Sequence, residues 1–562
     1  GGEGEAGVAG LVQERYAALL RAAGALDFDD LLLRAARLLE ENAAVRESWR
    51  LRFPFILVDE YQDTNRAQYD LVRLLSGPAG NLTVVGDEDQ SIYSWRGADI
   101  QNILEFERDF PGARVFRLEQ NYRSSQRILD AAVSLVGRNL RRKGKTLRAV
   151  RGKGDPVRLH AASDEFEEAQ WVVERVAALR GRGRAAVLFR MNAQSRLFEE
   201  QLLRLRLPYL VLGGVGFYER KEVKDLLAYL RLALNPRDAV AFHRVVNVPP
   251  RGIGARTVEE IDRVAAERSE SPWEALVHLV DEAAVPARAL SPLRQFRDTI
   301  ETLVAEAQSR GIQGLLQRAL ESSGYAAALA REDSRESQER LENLAELLAA
   351  AADFEVREQA PSLAGFLDRA ALLSETDRLR DDVPVLLMTL HAAKGLEFES
   401  VFLVGLEEGL LPHSRSLTGE DALEEERRLC YVGMTRAMER LCLTWARSRQ
   451  VFGQRRLSVP SRFLEEIPPD GVETSGSSLP LAARARPEGT RWPSLDASRV
   501  APLPPAPAAL ELRPGVRVRH PLFGVGTVIR REGDGDDLKL TVSFPGVGAK
   551  KLVARFAGLE LV

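Results

Sequence analysis

Phe53-Pro-Phe-Ile-Leu-Val-Asp-Glu-Tyr-Gln-Asp63 decides how the chain is read. Phe55, Ile56, Leu57 and Val58 form a short apolar run of the kind that makes a fully buried parallel strand. Asp59 and Glu60 follow at once. Paired carboxylates at the carboxyl end of such a strand sit where open α/β sheets bind ligands. This is the form of a Walker B element, in which Asp59 holds Mg2+ through oxygen and Glu60 orients and deprotonates an attacking water. A strand followed by a solvated acidic turn looks the same in isolation, so the neighbouring segments have to choose.

Two further runs follow the same plan: 82–85 leads into Gly86-Asp87, and 115–118 into Glu119-Gln-Asn-Tyr-Arg123. Strand, polar loop and helix in alternation predict a doubly wound α/β domain. A second set of strands is expected at 185–189, 209–212, 383–388, 401–404 and 440–444. Residues 217–380 between them read as amphipathic helices inserted into that second domain. From 468 to 513 the chain is rich in Pro, Ala, Ser and Arg without periodicity, which predicts a disordered linker. Residues 514–562 break into short strands around Gly and Asp, which predicts a small β-barrel.

The totals set bounds. A chain of 562 residues has room for several cored domains. No apolar run approaches a membrane span and no signal peptide heads the sequence, so no membrane partner is expected. Cys430 and Cys442 lack Cys-x-x-Cys spacing and read as core residues of a reduced, cytoplasmic protein. A net charge of −4 does not advertise nucleic acid, yet it leaves room for a local basic groove.

Four more blocks carry chemistry. In Val85-Gly-Asp-Glu-Asp-Gln-Ser-Ile-Tyr-Ser-Trp-Arg-Gly-Ala98, Gln90 lies just past a strand end, and Tyr93, Trp95 and Arg96 supply aromatic faces with a cation, a surface for single-stranded bases. In Gln120-Asn-Tyr-Arg-Ser124, Arg123 suits an arginine finger and Tyr122 a base stack. Thr389-Leu-His-Ala-Ala-Lys-Gly-Leu-Glu-Phe398 runs from a strand end into a glycine loop, and Glu424 to Ala437 is a charged helix ending near Arg436. Taken singly, these read as packing aromatics and solvated charges.

In this order, from about Leu26 to Phe463, the blocks resemble the UvrD/PcrA/Rep family of superfamily-one DNA helicases. The long runs Gly-Asp-x-x-Gln-Ser-Ile-Tyr-x-Trp-Arg-Gly-Ala and Thr-Leu-His-x-Ala-Lys-Gly-Leu-Glu-Phe make the likeness specific. It implies tandem RecA-like domains with ATP and Mg2+ between them, a helical insertion in the second, and stepping 3′ to 5′ along single-stranded DNA up to the duplex junction. It assigns Asp59 to metal and Glu60 to water activation. Gln90 becomes the residue coupling phosphate state to DNA. Arg123 and Arg436 become the two fingers, with Tyr122 on the adenine, Glu397 on the ribose and Lys394 near the nucleotide. Tyr93, Trp95, Arg96, Thr389, His391 and Phe452 become single-strand contacts. Arg251, Gly252, Ile253 and Gly254 fall where the family touches duplex, and two glycines before a helix start do expose amides to phosphate.

The expected domain limits are 1–25 and 26–121 for the end of a helical insertion and the remainder of the first RecA-like domain, which is taken as incomplete. They continue with 122–216 and 381–467 for the second, 217–380 for its insertion, 468–513 for the linker and 514–562 for a Tudor-like barrel. That barrel is associated in the family with RNA polymerase, and repair factors are further expected partners. One motif is missing. The only Gly-Lys-Thr, Gly144-Lys145-Thr146, has Asn139 at the first-glycine position of a phosphate loop and follows a basic helix instead of a strand. It reads as a basic surface turn. An upstream phosphate loop is therefore expected in the parent protein, and no ATP hydrolysis by these residues alone. The competing reading is a non-catalytic protein, derived from a helicase, that binds DNA and RNA polymerase.

Overall fold

The computed structural model describes residues 2–77, 80–179, 183–213, 215–332, 334–375, 385–451 and 454–476, then 516–520, 524–532, 539–544, 548–553 and 560–561. The chain divides into two units, Gly1–Ser478 and Leu479–Val562.

Helices Gly2–Ala22, Phe28–Glu41 and Ala43–Arg52 come first. Asp27 opens the second by accepting from Asp30 N at 2.7 Å, as an N-cap aspartate does. Strands β1 (Ile56–Val58) and β2 (Leu82–Val84) then pair in parallel. The helix between them, Arg66–Ser76, starts on a reciprocal Asn65/Gln68 capping box. The predicted full burial of the first strand does not occur: Leu57 is 77% exposed and Phe55 is exposed too. Burying a parallel strand takes cover on both faces, and among the described residues nothing covers the Leu57 face. Residues 115–118 are not a strand either. They find no ladder partner, Phe116 and Leu118 stay exposed, and pairing begins only at β3 (Gln120–Asn121) against β4 (Arg148–Ala149).

A larger sheet organises the rest of the first unit. Its strands are β5 (Val157–Asp164), β6 (Ala185–Phe189), β7 (Tyr209–Leu212), β8 (Val385–Thr389), β9 (Phe398–Leu403), β10 (Ala437–Val451), β11 (Gln454–Leu457) and β12 (Val472–Gly476). The order is β12-β5-β10-β9-β6-β8-β7, with β11 antiparallel on β10 and every other pairing parallel. β6 shows why a central strand reads as unbroken apolar sequence. Ala185, Val187 and Phe189 pack with Val172 and Phe198, from helices Glu165–Ala178 and Ser195–Arg204. Ala186 and Leu188 pack the other way, with Ile128 and Leu429 from helices Gln126–Val136 and Glu420–Met434. β12 falls inside the stretch predicted as linker. It is an edge strand, Val472 opposite Val157, and its mostly exposed, polar sequence carries no apolar run to announce it. From 477 on, the predicted linker lies outside the described residues.

Between β7 and β8, helices run from Lys221–Leu234 to Leu363–Glu375 around a core that includes Phe217, Tyr229, Phe242, Phe296, Leu316 and Phe354. Local signals set their ends. Helix Pro272–Asp281 has Ser271 as its cap, Pro272 at its first position and Glu274 closing the box. Helix Arg335–Arg357 ties this body to the sheet: Arg196, its side chain 3% exposed, pairs with Glu200, Glu346 and Asp353 at 3.0, 2.6 and 3.0 Å.

The second unit holds β13 (Arg517–His520), β14 (Gly524–Glu532), β15 (Lys539–Phe544), β16 (Gly548–Val553) and β17 (Glu560–Leu561). They form an antiparallel sheet in the order β16-β15-β14-β13-β17, with Val518, Val528, Leu540 and Val542 buried. The predicted short strands are present among the described residues as this five-stranded sheet, and the segments that join them, on which closure of the predicted barrel depends, lie outside the described residues.

Candidate functional site

The carboxyl ends of β1 and β2 lie side by side, because Val85 N donates to Val58 O at 2.8 Å and Tyr61 N to Val85 O at 3.0 Å. Asp59 and Glu60 are thereby set beside Gly86 and Asp87. Gly86 answers a close approach: a Cβ there would lie 2.5 Å from Gln62 Oε1 and 2.7 Å from Ile103 Cδ1. Glu60 is held at φ 52, ψ 40, a left-handed conformation that costs a non-glycine residue energy and persists mainly at working sites. Gln62 donates to Glu60 Oε2 at 2.5 Å and accepts from Asp87 N at 2.9 Å, while Gln90 donates to Asp87 Oδ2 at 2.7 Å.

A cation enters this acidic group from the second half. The mostly buried Lys394 ammonium contacts Asp63, donates to Gln90 O at 2.8 Å and lies 3.5 Å from Glu60 Oε2. Burial raises the Asp63 carboxyl even beside Lys394, and its Oδ1 is buried without a partner. Among the described residues no three His, Cys, Asp or Glu side chains converge to hold an ion unaided. Asp59 fits the other pattern, in which Mg2+ takes one or two carboxylates and completes its shell with waters and substrate phosphates.

Arg123 pairs with Glu397 at 2.7 Å, and that hydrogen bond lowers the Glu397 carboxyl. Both line a cavity of about 350 Å3 with Gln120, Asn121, Tyr122, Arg151 and Met438, a size that admits a small planar ligand. Tyr122 is exposed there, its hydroxyl donating to Gln120 Oε1 at 3.0 Å. Arg436 is only 2% exposed. It donates to the carbonyls of Val432 and Leu396 at 3.0 and 3.2 Å. Burial first, then the charge of Arg123, push its guanidinium down to about 10, with Asp87 and Glu60 among the groups opposing them.

Gly144-Lys145-Thr146 is neither a phosphate loop nor the predicted surface turn. Lys145 is mostly buried, contacts Asp87 and lies 3.3 Å from Asp89, while Arg142 pairs with Asp89 at 2.8 Å. Asp89 is itself buried, and a buried carboxylate requires such partners.

The aromatic block forms one platform with the Thr389 loop. Tyr93 and Trp95 have ring centroids 6.2 Å apart, and Trp95 meets His391 edge-on at 6.3 Å. Tyr93 OH donates to His391 O at 3.3 Å, and Thr389 Oγ1 accepts from Ala392 N at 3.3 Å. The Arg96 guanidinium lies 4.6 Å from the Trp95 centroid. Burial, then the charges of Arg190, Arg335 and Arg96, push the His391 imidazole down to about 3, so it stays neutral among three guanidiniums. Phe452 lies outside the described residues.

Three contributors to this platform carried no local signal. Glu425 accepts from Ser94 N at 3.1 Å and from the Ser94 hydroxyl. Arg190 forks onto Glu426 at 2.7 Å. Arg335 reaches the Trp95 ring from the helical body. Their partners are remote in sequence, so only the fold joins them.

The Gly-Ile-Gly loop is separate from both sites. Gly252 has φ +79 and open space where a Cβ would be, and Gly254 caps helix Ala255–Arg268. Ile253 is buried. The Arg251 guanidinium turns inward, donating to the carbonyls of Val245 and Pro249 at 3.2 Å each and to the Tyr229 hydroxyl at 2.5 Å. It braces the loop from inside, while the exposed Arg256 follows Gly254 at the helix start.

Residues 3–111 match the UvrD/REP helicase N-terminal domain, 116–448 the UvrD-like helicase C-terminal domain, and 515–560 the PcrA/UvrD tudor domain. DNA helicase II of Escherichia coli is 43% identical over 561 residues, covering 98% of this chain and 76% of that protein. ATP-dependent DNA helicase PcrA of Bacillus subtilis is 43% identical over 549 residues, covering 95% and 74%. The chain therefore belongs to the UvrD/PcrA family of DNA helicases.

Proposed function

We propose that the chain serves an ATP-dependent 3′→5′ DNA helicase acting in DNA repair. In this reading two RecA-like halves, one built on β1 and β2 and the other on the large sheet, close on ATP. The helical body between β7 and β8 is the insertion that meets duplex at the junction, through the amides of Gly252 and Gly254. Residues 514–562 recruit RNA polymerase, and repair factors are further partners.

The observation that carries the reading is that two short segments, 87–96 and 389–397, build both sites. Gln90 stands beside the acids and Trp95 on the platform, while Lys394 reaches the acids and His391 borders Trp95. A shift of one segment relative to the other is felt at both. Glu60 deprotonates the attacking water. Arg123 and Arg436 meet charge developing on the transferred phosphoryl group. Tyr122 stacks on the base and Glu397 holds the ribose. Asp59 holds Mg2+, which when bound neutralises phosphate charge. The 562 residues contain no phosphate-loop sequence, so hydrolysis is expected only when such a loop is supplied, in cis or by a second polypeptide. The same feature favours the second reading, a non-catalytic DNA- and polymerase-binding protein.

The platform is tested with Trp95→Ala. Loss of the stack should weaken single-stranded DNA binding by about 1–3 kcal/mol, read by fluorescence anisotropy at one salt concentration. Unchanged affinity in a folded variant removes Trp95 from the DNA path.

A further inference from the structure

Trp95 is 46% exposed, but its ring already has company. The Arg335 guanidinium lies 4.1 Å from the ring centroid, closer than that of Arg96 at 4.6 Å. Arg335 belongs to a different part of the fold: it is the first residue of the long helix Arg335–Arg357 that ties the helical body to the sheet. A cation at a helix N-terminus opposes the helix dipole. Its one ion-pair partner on that helix is Glu339, at 3.3 Å. Arg335 is also one of three guanidiniums whose charge is felt at His391, with Arg96 and Arg190. Two of the three have close carboxylates, Glu426 for Arg190 and Glu339 for Arg335, whereas Arg96 lies against the Tyr93 and Trp95 rings. An aromatic face under a half-buried guanidinium, in a cluster of cations, is how proteins combine base stacking with capture of the nucleic-acid backbone.

We propose that Arg335 is a single-strand contact supplied by the helical body. It rests on the Trp95 ring when DNA is absent, and moves to the phosphate of the nucleotide whose base takes its place. The proposal rests on the reading of Trp95 as a stacking residue and adds the helical insertion to the strand's path. Occupancy of the platform would then be felt directly at the start of the helix that holds the insertion.

The test uses the full chain and a fluorescent oligothymidylate, with anisotropy titrations at several salt concentrations and thermal melts as the folding control. Arg335→Ala and Arg335→Gln should each weaken binding roughly two- to fivefold near 0.1 M salt. Both should flatten the slope of log affinity against log salt by about 0.7, one phosphate contact on a single strand. Arg335→Lys, which keeps the charge, should keep the slope. Unchanged affinity and slope in the Ala and Gln variants overturn the proposal, leaving Arg335 as an internal brace. Tighter binding overturns it as well, since Arg335 would then only compete with the base. Trp95→Ala, run alongside, separates the two claims. If it weakens binding while the Arg335 variants do not, only the role of Arg335 falls. If it leaves binding unchanged, the platform falls too.

Discussion

Replacing Arg196 by Met should loosen the joint between the helical body and the sheet, and should do so more at high pH than at low. The guanidinium is buried among Glu200, Glu346 and Asp353 at 2.6–3.0 Å. Met fills similar space but leaves three carboxylates without their shared cation. Breaking a buried ion pair from one side costs about 3–5 kcal/mol, and the remaining acids lower that cost by taking up protons. Burial already raises the carboxyls of Glu346 and Asp353, with Arg196 working against it. A folded-state pKa above the unfolded value means that stability is fully present below the unfolded pKa and declines as pH rises through the folded one. Without Arg196 both groups rise further, so the variant loses additional stability above the ordinary carboxylate range. Chemical denaturation at pH 5.0 and pH 8.0 should therefore show a deficit of about 3–5 kcal/mol at the higher pH and a clearly smaller one at the lower. Arg196→Lys should fall between, because a point charge cannot fork to three acids. An equal deficit at both pH values would refute the reasoning, since it would mean that lost packing, not stranded charge, sets the cost.

Two other outcomes are expected. His391 titrates at about 3 in the fold against an ordinary value of about 6.5. The unfolded chain takes up that proton first, so stability is present above about 6.5 and declines as pH falls toward 3. Between pH 7.5 and 5.5 the native protein should lose about 1.4 kcal/mol more than His391→Gln, measured by chemical denaturation; equal losses would place a charged imidazole in the fold. Deleting residues 514–562 should leave single-stranded DNA affinity unchanged and abolish capture of RNA polymerase in a pull-down, and polymerase capture by the shortened chain would show that the tail is not the recruiter.

Much of this site was legible because its chemistry is local. Asp59-Glu60 at a strand end, Gln90 before Tyr93 and Trp95, and Lys394 after His391 are each written within about ten consecutive residues. The middle strand β6 was legible for a related reason: cover on both faces selects apolar residues at every position. What escaped depends on partners. The Phe55–Val58 run looked buried, but burial belongs to what packs on a strand, and nothing described packs on Leu57. β12 has an edge strand's polar sequence, and residues 115–118 have an apolar strand's sequence without a ladder. Arg251 stands beside two glycines as a phosphate ligand would, yet the carbonyls of Val245 and Pro249 claim it. Lys145 looked exposed until Asp87 and Asp89 were brought against it. In each case the residue type was readable, and what the fold sets against it, or fails to set against it, was not.

The central claim is that Glu60, Arg123 and Arg436 form a hydrolytic wall that works once the phosphates are held in line with them. Steady-state ATPase with saturating single-stranded DNA tests it most directly, on the 562-residue chain alone and on the chain joined to a segment carrying a Gly-x-x-x-x-Gly-Lys-Thr loop. The account predicts background turnover for the first, DNA-stimulated turnover for the second, and loss of that turnover on Glu60→Gln. Robust turnover by the chain alone, abolished by Glu60→Gln, would contradict it by showing that these residues already contain a phosphate cradle.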